Sequence, residues 1–401
     1  MREGVRAEIG SIAPIEGLRG VAVLWVVAFH YVALREAAGI ADPWIEALRR
    51  MPLLDAFARN GYLGVDLFFL ISGFLLGLPW FLHARKGLAP PSTRAFYARR
   101  IRRIVPAYYL QLVFLFALVM PLLHGRKYWR SDLYVDLWNA AAHALFVHNT
   151  TPLTSGSLGA NGALWTLAVE AQFYLLLPLA APLFVRMPRR AFAGAVAIAL
   201  AWQWDVVHDM RVLVDGLLRL GAHWQWPESK VREVLGIQLP GYVAHFALGI
   251  AMGRIWLAWR ERSEARAPAF ARIAMALLAL AFLAASLEGH VPIPREFARM
   301  APTLALAALL WLAATSRGLV ATRALGRGPL AFAGRVSYSA YLSQFPLLLL
   351  WDAYARDVPA LAALPAYLVL LTVIAWVSRR YVEEPFLQAK DPGLERAQAR
   401  D

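Results

Sequence analysis

Long apolar runs recur from one end of this chain to the other, and most of them have the length that a helix needs to cross a lipid bilayer. The hydrocarbon core is about 30 Å thick and takes roughly 20 residues of helix. No water reaches the backbone there, so the peptide groups of each run must pair within the run, as they do in a helix. The sequence therefore predicts an all-α, polytopic integral membrane protein with about ten transmembrane helices. The predicted spans are residues 18–37, 61–82, 104–123, 161–186, 190–206, 239–259, 272–288, 301–315, 337–355 and 360–378.

Composition supports a single integral unit. Apolar residues make up 59% of the 401 residues and charged residues 17%, below the roughly 25% of a soluble domain. The chain has no cysteine, which excludes disulfides and thiolate metal sites. Residues 1–386 are expected to form one transmembrane domain, and residues 387–401 a short polar tail. No small-residue cleavage site follows the first apolar run, which is therefore expected to be retained.

Arginine is unevenly distributed among the loops. If the spans alternate, the side of the N-terminus collects most arginines, including those of residues 85–103 and the pair Arg379 and Arg380. The positive-inside rule then places both termini in the cytoplasm, which requires an even number of spans. The same rule accounts for the net charge of +14, which would otherwise suggest a nucleic-acid partner.

The first apolar run, GLRGVAVLWVVAFHY at residues 17–31, carries Arg19 and His30. They are eleven residues apart, so on a helix they project within about 20° of each other and lie roughly 16 Å apart along the axis. A charge at this depth is costly, and one long ligand could contact both side chains. Alternatively, Arg19 extends to the headgroups and His30 is hydrogen-bonded within the bundle.

The third span begins with FYARRIRRIVPAYYL, residues 96–110, in which Arg99, Arg100 and Arg103 belong to a cluster of four arginines. Guanidinium groups pair bidentately with phosphate, so a polyanion site is one interpretation. A positive flank of the span is the other. Tyr108 follows inside the predicted bilayer region.

The fourth span begins with LWTLAVEAQFYLLLP, residues 164–178. Thr166, Glu170 and Tyr174 recur at intervals of four and line one helix face. A carboxylate in the bilayer needs a partner or a wet cavity. The predicted depth of Glu170 matches that of His30, and a carboxylate beside an imidazole is a familiar general-base pair. A structural glutamate with another partner is the alternative.

The second span, GYLGVDLFFLISGFLLG at residues 61–77, is rich in glycine. Its glycines permit close approach of another helix, which favours a packing role. Asp66 and Ser72 are its polar residues and remain candidates for a site.

Together these segments resemble the acyltransferase-3 family of integral membrane acyltransferases over most of the chain. The Arg-x10-His pair of that family's first span is matched by Arg19 and His30. Four further motifs are similar: "GVDLFFxxSGF" at residues 64–74, "RRxxRIxPxY" at residues 99–108, "WSLxxExxFY" at Trp165, Thr166, Glu170 and Tyr174, and an "EKPF"-like element at Glu384, Pro385 and Phe386.

One position departs from the family pattern. The family often has "SxYLxHFP" in its penultimate span, where this chain reads SYSAYLSQFPLL and places Gln344 at the histidine. Glutamine can hydrogen-bond but has no group that takes up a proton. Either this position is structural or the acceptor chemistry differs.

The resemblance implies transfer of an acyl group, usually acetyl, from cytoplasmic acyl-CoA to a hydroxyl of a glycan, a lipid-linked sugar or another surface component, in the bacterial inner membrane. Arg19, with Arg99, Arg100 and Arg103, would bind the phosphates of coenzyme A. His30 would be a general base or a transient acyl carrier, and Glu170 would orient it.

No metal is expected, because His143, His148 and His245 lack ligand spacing. A transporter or flippase of a lipid-linked or small-molecule substrate is the alternative from another class. It gives no reason for an arginine cluster beside Arg19, and it favours inverted repeats with broken helices, which the sequence lacks. The sequence does not indicate the acceptor, the acyl chain length or the oligomeric state.

Overall fold

A computed structural model of the chain describes residues 13–125, 133–155, 161–208, 227–261, 269–287, 300–316, 320–355 and 357–388, and every regular element in these ranges is a helix. Apart from the short helix Met120–His124 and the 3₁₀ turn Gly162–Leu164, the helices are in chain order α1 (Ala13–Ala37), α2 (Pro43–Arg49), α3 (Pro52–Arg59), α4 (Leu63–Arg85), α5 (Thr93–Phe114), α6 (Leu133–Ala144), α7 (Trp165–Arg186), α8 (Pro188–His208), α9 (Glu228–Gly236), α10 (Leu239–Glu261), α11 (Ala269–Leu287), α12 (Met300–Thr315), α13 (Val320–Leu325), α14 (Gly328–Arg335), α15 (Ser337–Tyr354), α16 (Ala360–Ser378) and α17 (Glu384–Gln388).

Seven helical stretches of the described residues are long and apolar enough to cross a membrane. They are Ala13–Ala37, Leu63–Arg85, Thr93–His124, Gly162–Arg186, Pro188–His208, Glu228–Arg260 and Ala360–Gln388. Two further apolar helices are shorter, and α15 has 18 residues. The predicted all-α, polytopic membrane protein is confirmed, whereas the ten spans and the cytoplasmic termini stay predictions.

Glycines let α14 approach the beginning of α1 closely. A Cβ added at Gly20 would collide with the carbonyl oxygen of Leu330, and one at Gly334 with the carbonyl oxygen of Glu16. Only glycine leaves room for this backbone contact. The first turns of α1, which carry Arg19, are therefore fixed against α14.

Helices α4 and α10 pack through glycines in the same way. Gly73 lies against the backbone of Phe246, and Gly249 lies against the backbone of Leu70. The ring of Phe246 stacks on Phe173 of α7, with 3.8 Å between the ring centroids. The packing role predicted for the glycines of the second span is thus confirmed, and α4 is held as one wall of the cavity described below.

An ion-pair cluster joins the far end of α1 to α15. Nε of Arg35 lies 3.0 Å from Asp42, and its Nη1 lies 2.7 Å from Asp352 of α15. Tyr31 donates a hydrogen bond of 2.6 Å to Asp42. We call Arg35, Asp42 and Asp352 the Arg35 clamp, and it fixes α1 against α15 at the end opposite to α14.

Two π-helical turns interrupt the long helices, at Leu115–Val119 after α5 and at Arg379–Glu383 after α16. A π turn adds one residue to a helical turn and shifts the faces that follow it. The second of these turns ends at Glu383 and shifts the phase of the helix where Glu383 and Glu384 lie.

Candidate active site

An inner cavity of about 100 Å³ lies where α1, α4, α5, α7 and α15 meet. Part of its wall is apolar, with Phe68, Phe69 and Leu167 among the lining residues. The polar lining residues are Arg19, Ser72, Arg100, Arg103, Thr166, Glu170, Tyr174, Ser337, Tyr338 and Tyr341. All of these except Ser337, Tyr338 and Tyr341 were predicted as site candidates. The predicted common face of Thr166, Glu170 and Tyr174 is the face of α7 that lines this cavity.

Glu170 is held by hydroxyl groups. Ser72 donates a hydrogen bond of 3.1 Å to Oε1 of Glu170, and Tyr174, one turn further along α7, donates a short hydrogen bond to the same oxygen. These donors satisfy a carboxylate that would otherwise be costly inside the bundle. Ser72 thus has a polar role in the site in addition to its place in a packing helix.

The arginines of the inner cavity keep donors available. Arg100 and Arg103 are three residues apart, so they share one face of α5. The guanidinium of Arg100 lies 5.7 Å from the ring centroid of Tyr174, within cation–π distance, and its buried Nε has no hydrogen-bond partner among the described residues. Within the described ranges, neither of them nor Arg19 forms an ion pair. An unsatisfied buried donor beside other cations is suited to an anion.

Arg99 lies apart from this group. It is turned by about 100° from Arg100 around the helix. It is four residues before Arg103, yet it lines neither the inner cavity nor the vestibule described next. The role predicted for Arg99 at the phosphates therefore has no support from its position.

A second cavity of about 400 Å³, which we call the vestibule, adjoins the inner cavity at the end of the bundle where α1 begins. The two share Arg19, Arg103 and Tyr338. The vestibule is further lined by Ala13, Glu16, Gly326, Ala331, Arg335, Arg379, Glu383 and Leu387. Its charged side chains are four arginines and two glutamates, so the passage from the vestibule to the inner cavity is cationic.

The C-terminal glutamate that faces the vestibule is Glu383, and not the predicted Glu384. Glu383 is 4% exposed and accepts a short hydrogen bond from Ser339. Glu384 is one quarter exposed and forms ion pairs with Arg379 at 3.4 Å and Arg380 at 2.9 Å. In an "EKPF"-like element the glutamate precedes the proline by two positions, which is Glu383 here. That spacing was the signal in the sequence that could have identified it.

His30 pairs with Gln344 and not with Glu170. Nδ1 of His30 lies 3.1 Å from Oε1 and 2.7 Å from Nε2 of Gln344 on α15. The ring of Phe345 meets the imidazole edge-on, with 5.2 Å between the centroids. The predicted His30–Glu170 contact is therefore wrong. The depths of the two residues differ because Glu170 lies one turn beyond Thr166, toward Arg19.

Tyr341 separates His30 from the inner cavity. It lines the cavity and is three residues, or roughly 4.5 Å of helix rise, before Gln344. Its hydroxyl lies 2.7 Å from Oγ1 of Thr166 and donates to the carbonyl of Ala163 at 3.0 Å. These contacts join α7 to α15 between the arginines and the imidazole. The sequence pattern did not identify Tyr341.

Three other predicted site residues have packing partners away from the cavity lining. Asp66 lies 3.8 Å from the buried His245 of α10. The hydroxyl of Tyr108 donates to a backbone carbonyl of α6 at 2.9 Å. The indole of Trp165 packs on the ring of Tyr242, with 5.3 Å between the centroids. These contacts indicate structural roles for the three side chains.

Within the described residues, no group of three or more His, Asp or Glu side chains is arranged to hold a metal ion. His143 and His148 stack with 4.1 Å between their centroids. Burial lowers the pKa of His143 to about 4 and that of His148 to about 3, the latter also because of its imidazole neighbour. Both imidazoles are therefore neutral at pH 7.

Comparisons with known proteins agree with the motifs. The profile of the "Acyltransferase domain" family, acyltransferase-3, matches residues 12–380. The putative peptidoglycan O-acetyltransferase YrhL of Bacillus subtilis is 25% identical over 93% of this chain and 54% of its own length. The exopolysaccharide production protein ExoZ of Rhizobium meliloti is 27% identical over 76% of this chain and 79% of its own.

Other relatives match only in part. The peptidoglycan O-acetyltransferase OatA of Listeria monocytogenes is 28% identical over 44% of this chain and 25% of its own length. The chain thus spans about half of the Bacillus protein and a quarter of the Listeria protein. No solved structure matches the chain. Because the family profile covers nearly all of it, from the arginine of α1 to the basic residues after α16, the chain belongs to the acyltransferase-3 family of integral membrane acyltransferases.

Proposed function

We propose that the protein is an O-acyltransferase of the bacterial inner membrane, which moves an acyl group, acetyl in the simplest case, from acyl-CoA to a hydroxyl of a surface glycan or lipid-linked sugar. The observation that carries this proposal is the cationic passage from the vestibule into the inner cavity, which ends one helical turn short of His30. It suits a ligand with an anionic head and a thin reactive arm.

The donor has that shape. Coenzyme A carries phosphates at its nucleotide end and a long pantetheine arm that ends in the thioester. The phosphates would lie in the vestibule against Arg335 and Arg379, and where the vestibule joins the inner cavity against Arg19 and Arg103. The unpaired Nε of Arg100 offers a further donor for an anionic or carbonyl oxygen inside. The arm would extend along α1 toward His30.

His30 would move the proton. In the general-base version, the imidazole takes the proton of the acceptor hydroxyl while its oxygen bonds to the thioester carbon, the carbon–sulfur bond breaks, and the thiolate receives the proton. In the carrier version, the imidazole nitrogen bonds to the thioester carbon and the carbon–sulfur bond breaks, which releases the thiolate. The acceptor oxygen then takes the acyl group from nitrogen, and its proton goes to the thiolate. Both versions need a neutral imidazole nitrogen that faces the thioester.

The acceptor is proposed from the relatives. Two of them are named for O-acetylation of peptidoglycan, and a third is named for exopolysaccharide production. A sugar hydroxyl of a surface polymer or its lipid-linked precursor is therefore the acceptor we propose. It would approach His30 from the side of the bundle opposite to the vestibule.

The test is acyl transfer by the purified protein in lipid nanodiscs. Labelled acetyl-CoA is supplied with crude cell-envelope polysaccharide, and label in the polymer is measured. Arg103→Gln should weaken donor binding about 10- to 100-fold, because a charge-assisted hydrogen bond contributes about 1.5–3 kcal/mol. The matched control is Arg102→Gln, since Arg102 is adjacent on α5 but lines neither cavity.

Two results would contradict the proposal. One is unchanged acetyl-CoA affinity in folded Arg103→Gln, which would show that Arg103 does not bind the phosphates. The other is acetyl-CoA binding by the wild-type protein that no envelope fraction converts to labelled polymer. Movement of a labelled lipid-linked sugar across the bilayer without acylation would instead support a transporter.

A further inference from the structure

The histidine of the candidate site has one side-chain hydrogen-bond partner among the described residues, and it is the residue at which this chain departs from its family. Gln344 is completely buried on α15. Both ends of its amide lie within hydrogen-bond distance of Nδ1 of His30, Oε1 at 3.1 Å and Nε2 at 2.7 Å. Its backbone carbonyl accepts a hydrogen bond of 2.9 Å from Tyr367, which holds this part of α15 in place.

The contact leaves two tautomers open, and chemistry separates them. If the amide nitrogen of Gln344 donated to Nδ1, the ring proton would lie on Nε2, which could then neither accept a proton nor attack a thioester. If Oε1 accepts from Nδ1–H, Nε2 keeps its lone pair. The second arrangement also survives protonation, because the imidazolium still donates from Nδ1 to the same oxygen.

We infer that Gln344 is a positioning residue that accepts a hydrogen bond from Nδ1–H of His30 and thereby makes Nε2 the reacting nitrogen. This inference deepens the proposed function and rests on it, both for the choice between the tautomers and for Nε2 as the reacting nitrogen. It applies to a general base and to an acyl carrier, since both use the same lone pair.

The exchange of histidine for glutamine has a chemical consequence. A second imidazole at position 344 could share or remove the proton of His30. An amide has no basic nitrogen, so Gln344 cannot take up the proton of His30. Of this pair, only His30 can therefore transfer a proton.

The surrounding contacts fix the distance between the amide of Gln344 and the imidazole of His30. The ring of Phe345 covers one edge of the imidazole. The Arg35 clamp joins α1 to α15, and Arg35 and Asp352 lie five and eight residues beyond His30 and Gln344. Before this contact, α14, which leads into α15, packs on α1 through glycines. The two helices are therefore held on both sides of the contact, as a preorganised site requires.

The first experiment reads the tautomer directly. Imidazole-¹⁵N histidine is incorporated into the full chain in nanodiscs, and the His30 signals are assigned by their loss in His30→Gln. Nδ1 should resonate as a protonated nitrogen and Nε2 as an unprotonated one. Gln344→Met, which keeps the volume and loses the amide, should move His30 away from this tautomer, and Gln344→Glu, whose ionised form can only accept, should keep it.

The second experiment reads turnover. Gln344→Met should lower kcat for acyl transfer about tenfold, the loss expected for one hydrogen bond, with the KM for acetyl-CoA unchanged. Gln344→Glu should recover most of this loss. The matched control is Gln111→Met, the same change at a buried glutamine of α5 outside the site, and it should leave kcat unaltered.

An Nε2–H signal for His30 in the wild-type protein would overturn the inference, as would full turnover in Gln344→Met. The spectra need no acyl transfer, so they decide on the tautomer even if the wild-type protein proves inactive with acetyl-CoA. Inactivity with the expected spectra would refute the proposed function and leave the hydrogen bond standing.

Discussion

Replacing Arg35 with glutamine removes the cation that joins the far end of α1 to α15. Its guanidinium contacts two carboxylates, Asp42 at 3.0 Å and Asp352 at 2.7 Å. The side chains of Arg35 and Asp42 are 9% and 1% exposed, and that of Asp352 is 13% exposed. Glutamine is too short to reach both and carries no charge, so two buried carboxylates would face each other without a cation.

The size of the effect follows from these contacts. Removal of one partner of a buried ion pair costs about 3–5 kcal/mol, because the remaining charge stays desolvated. Asp42 keeps hydrogen bonds from Tyr31 and from two backbone N–H groups of α2, which lessens its loss. Asp352 keeps no such donor among the described residues, but water reaches it in part. We therefore expect Arg35→Gln to lower the free energy of unfolding by about 3 kcal/mol, the lower end of that range.

A second substitution separates this explanation from a general loss of packing. In Arg35→Gln with Asp352→Asn, one of the two stranded charges is gone. The double variant should therefore be more stable than Arg35→Gln alone, by about 1–2 kcal/mol, since an unpaired buried charge costs more than a neutral amide. Arg49→Gln is the matched control on the same face of the bundle, because its ion pair with Glu36 involves an arginine side chain that is 56% exposed. An exposed pair contributes less than about 1 kcal/mol.

The assay is unfolding in mixed micelles by titration with sodium dodecyl sulfate, followed by tryptophan fluorescence. The reasoning is refuted if Arg35→Gln unfolds within about 0.5 kcal/mol of the Arg49→Gln control. It is equally refuted if the double variant is less stable than Arg35→Gln, because the loss would then not come from stranded charge.

Three further predictions concern packing, acid stability and access to His30. Gly20→Ala should cost at least about 1–3 kcal/mol of stability, because its Cβ meets a backbone carbonyl of α14 that cannot move aside, whereas Gly194→Ala, where a Cβ meets open space, should be neutral or stabilising. Burial holds the pKa of His148 at about 3, so below pH 6.5 its imidazole takes up a proton in the unfolded state but not in the folded state. The free energy of unfolding should therefore fall from pH 6.5 toward pH 4. His148→Phe should reduce this fall, measured as the midpoint of unfolding at each pH, whereas His208→Phe at an exposed site should not. Tyr341→Phe removes the hydrogen bonds between α7 and α15 that close the inner cavity. It should raise the hydrolysis of acetyl-CoA in the absence of acceptor, measured as free thiol. An unchanged ratio of hydrolysis to transfer would show that Tyr341 is no barrier between the inner cavity and His30.

Helical phase accounts for what the sequence could predict of the site. Residues three or four apart share a face wherever the helix is regular, and Thr166, Glu170 and Tyr174 do line one cavity. The same rule places Arg100 with Arg103. The rule does not exclude Arg99, which is four residues before Arg103. Only the structure shows that Arg99 lines neither cavity.

Depth and irregular turns account for what the sequence could not predict. Helical phase gives the direction of a side chain. The depth of that side chain relative to one on another helix depends on how the two helices tilt and pack, which glycines and long-range contacts determine. Glu170 therefore meets Ser72 and not His30. The π turn Arg379–Glu383 changes the phase after α16, so helical period does not indicate that Glu383 is buried and Glu384 is not. The spacing of the "EKPF"-like element was the only signal in the sequence for Glu383.

The partners of Glu170 bear on what the cavity can hold. A carboxylate among Arg19, Arg100 and Arg103 could have formed ion pairs with them, and their hydrogen-bond donors would then have been occupied. Its oxygen instead accepts from two hydroxyls, those of Ser72 and Tyr174. The arginines are left with donors and a net positive charge in a partly buried cavity, where charge-assisted hydrogen bonds are stronger than in bulk water. An anionic or carbonyl oxygen that enters from the vestibule thus meets cations that need not release an internal partner first, and this favours a ligand whose anionic end remains at the vestibule while its arm continues toward His30.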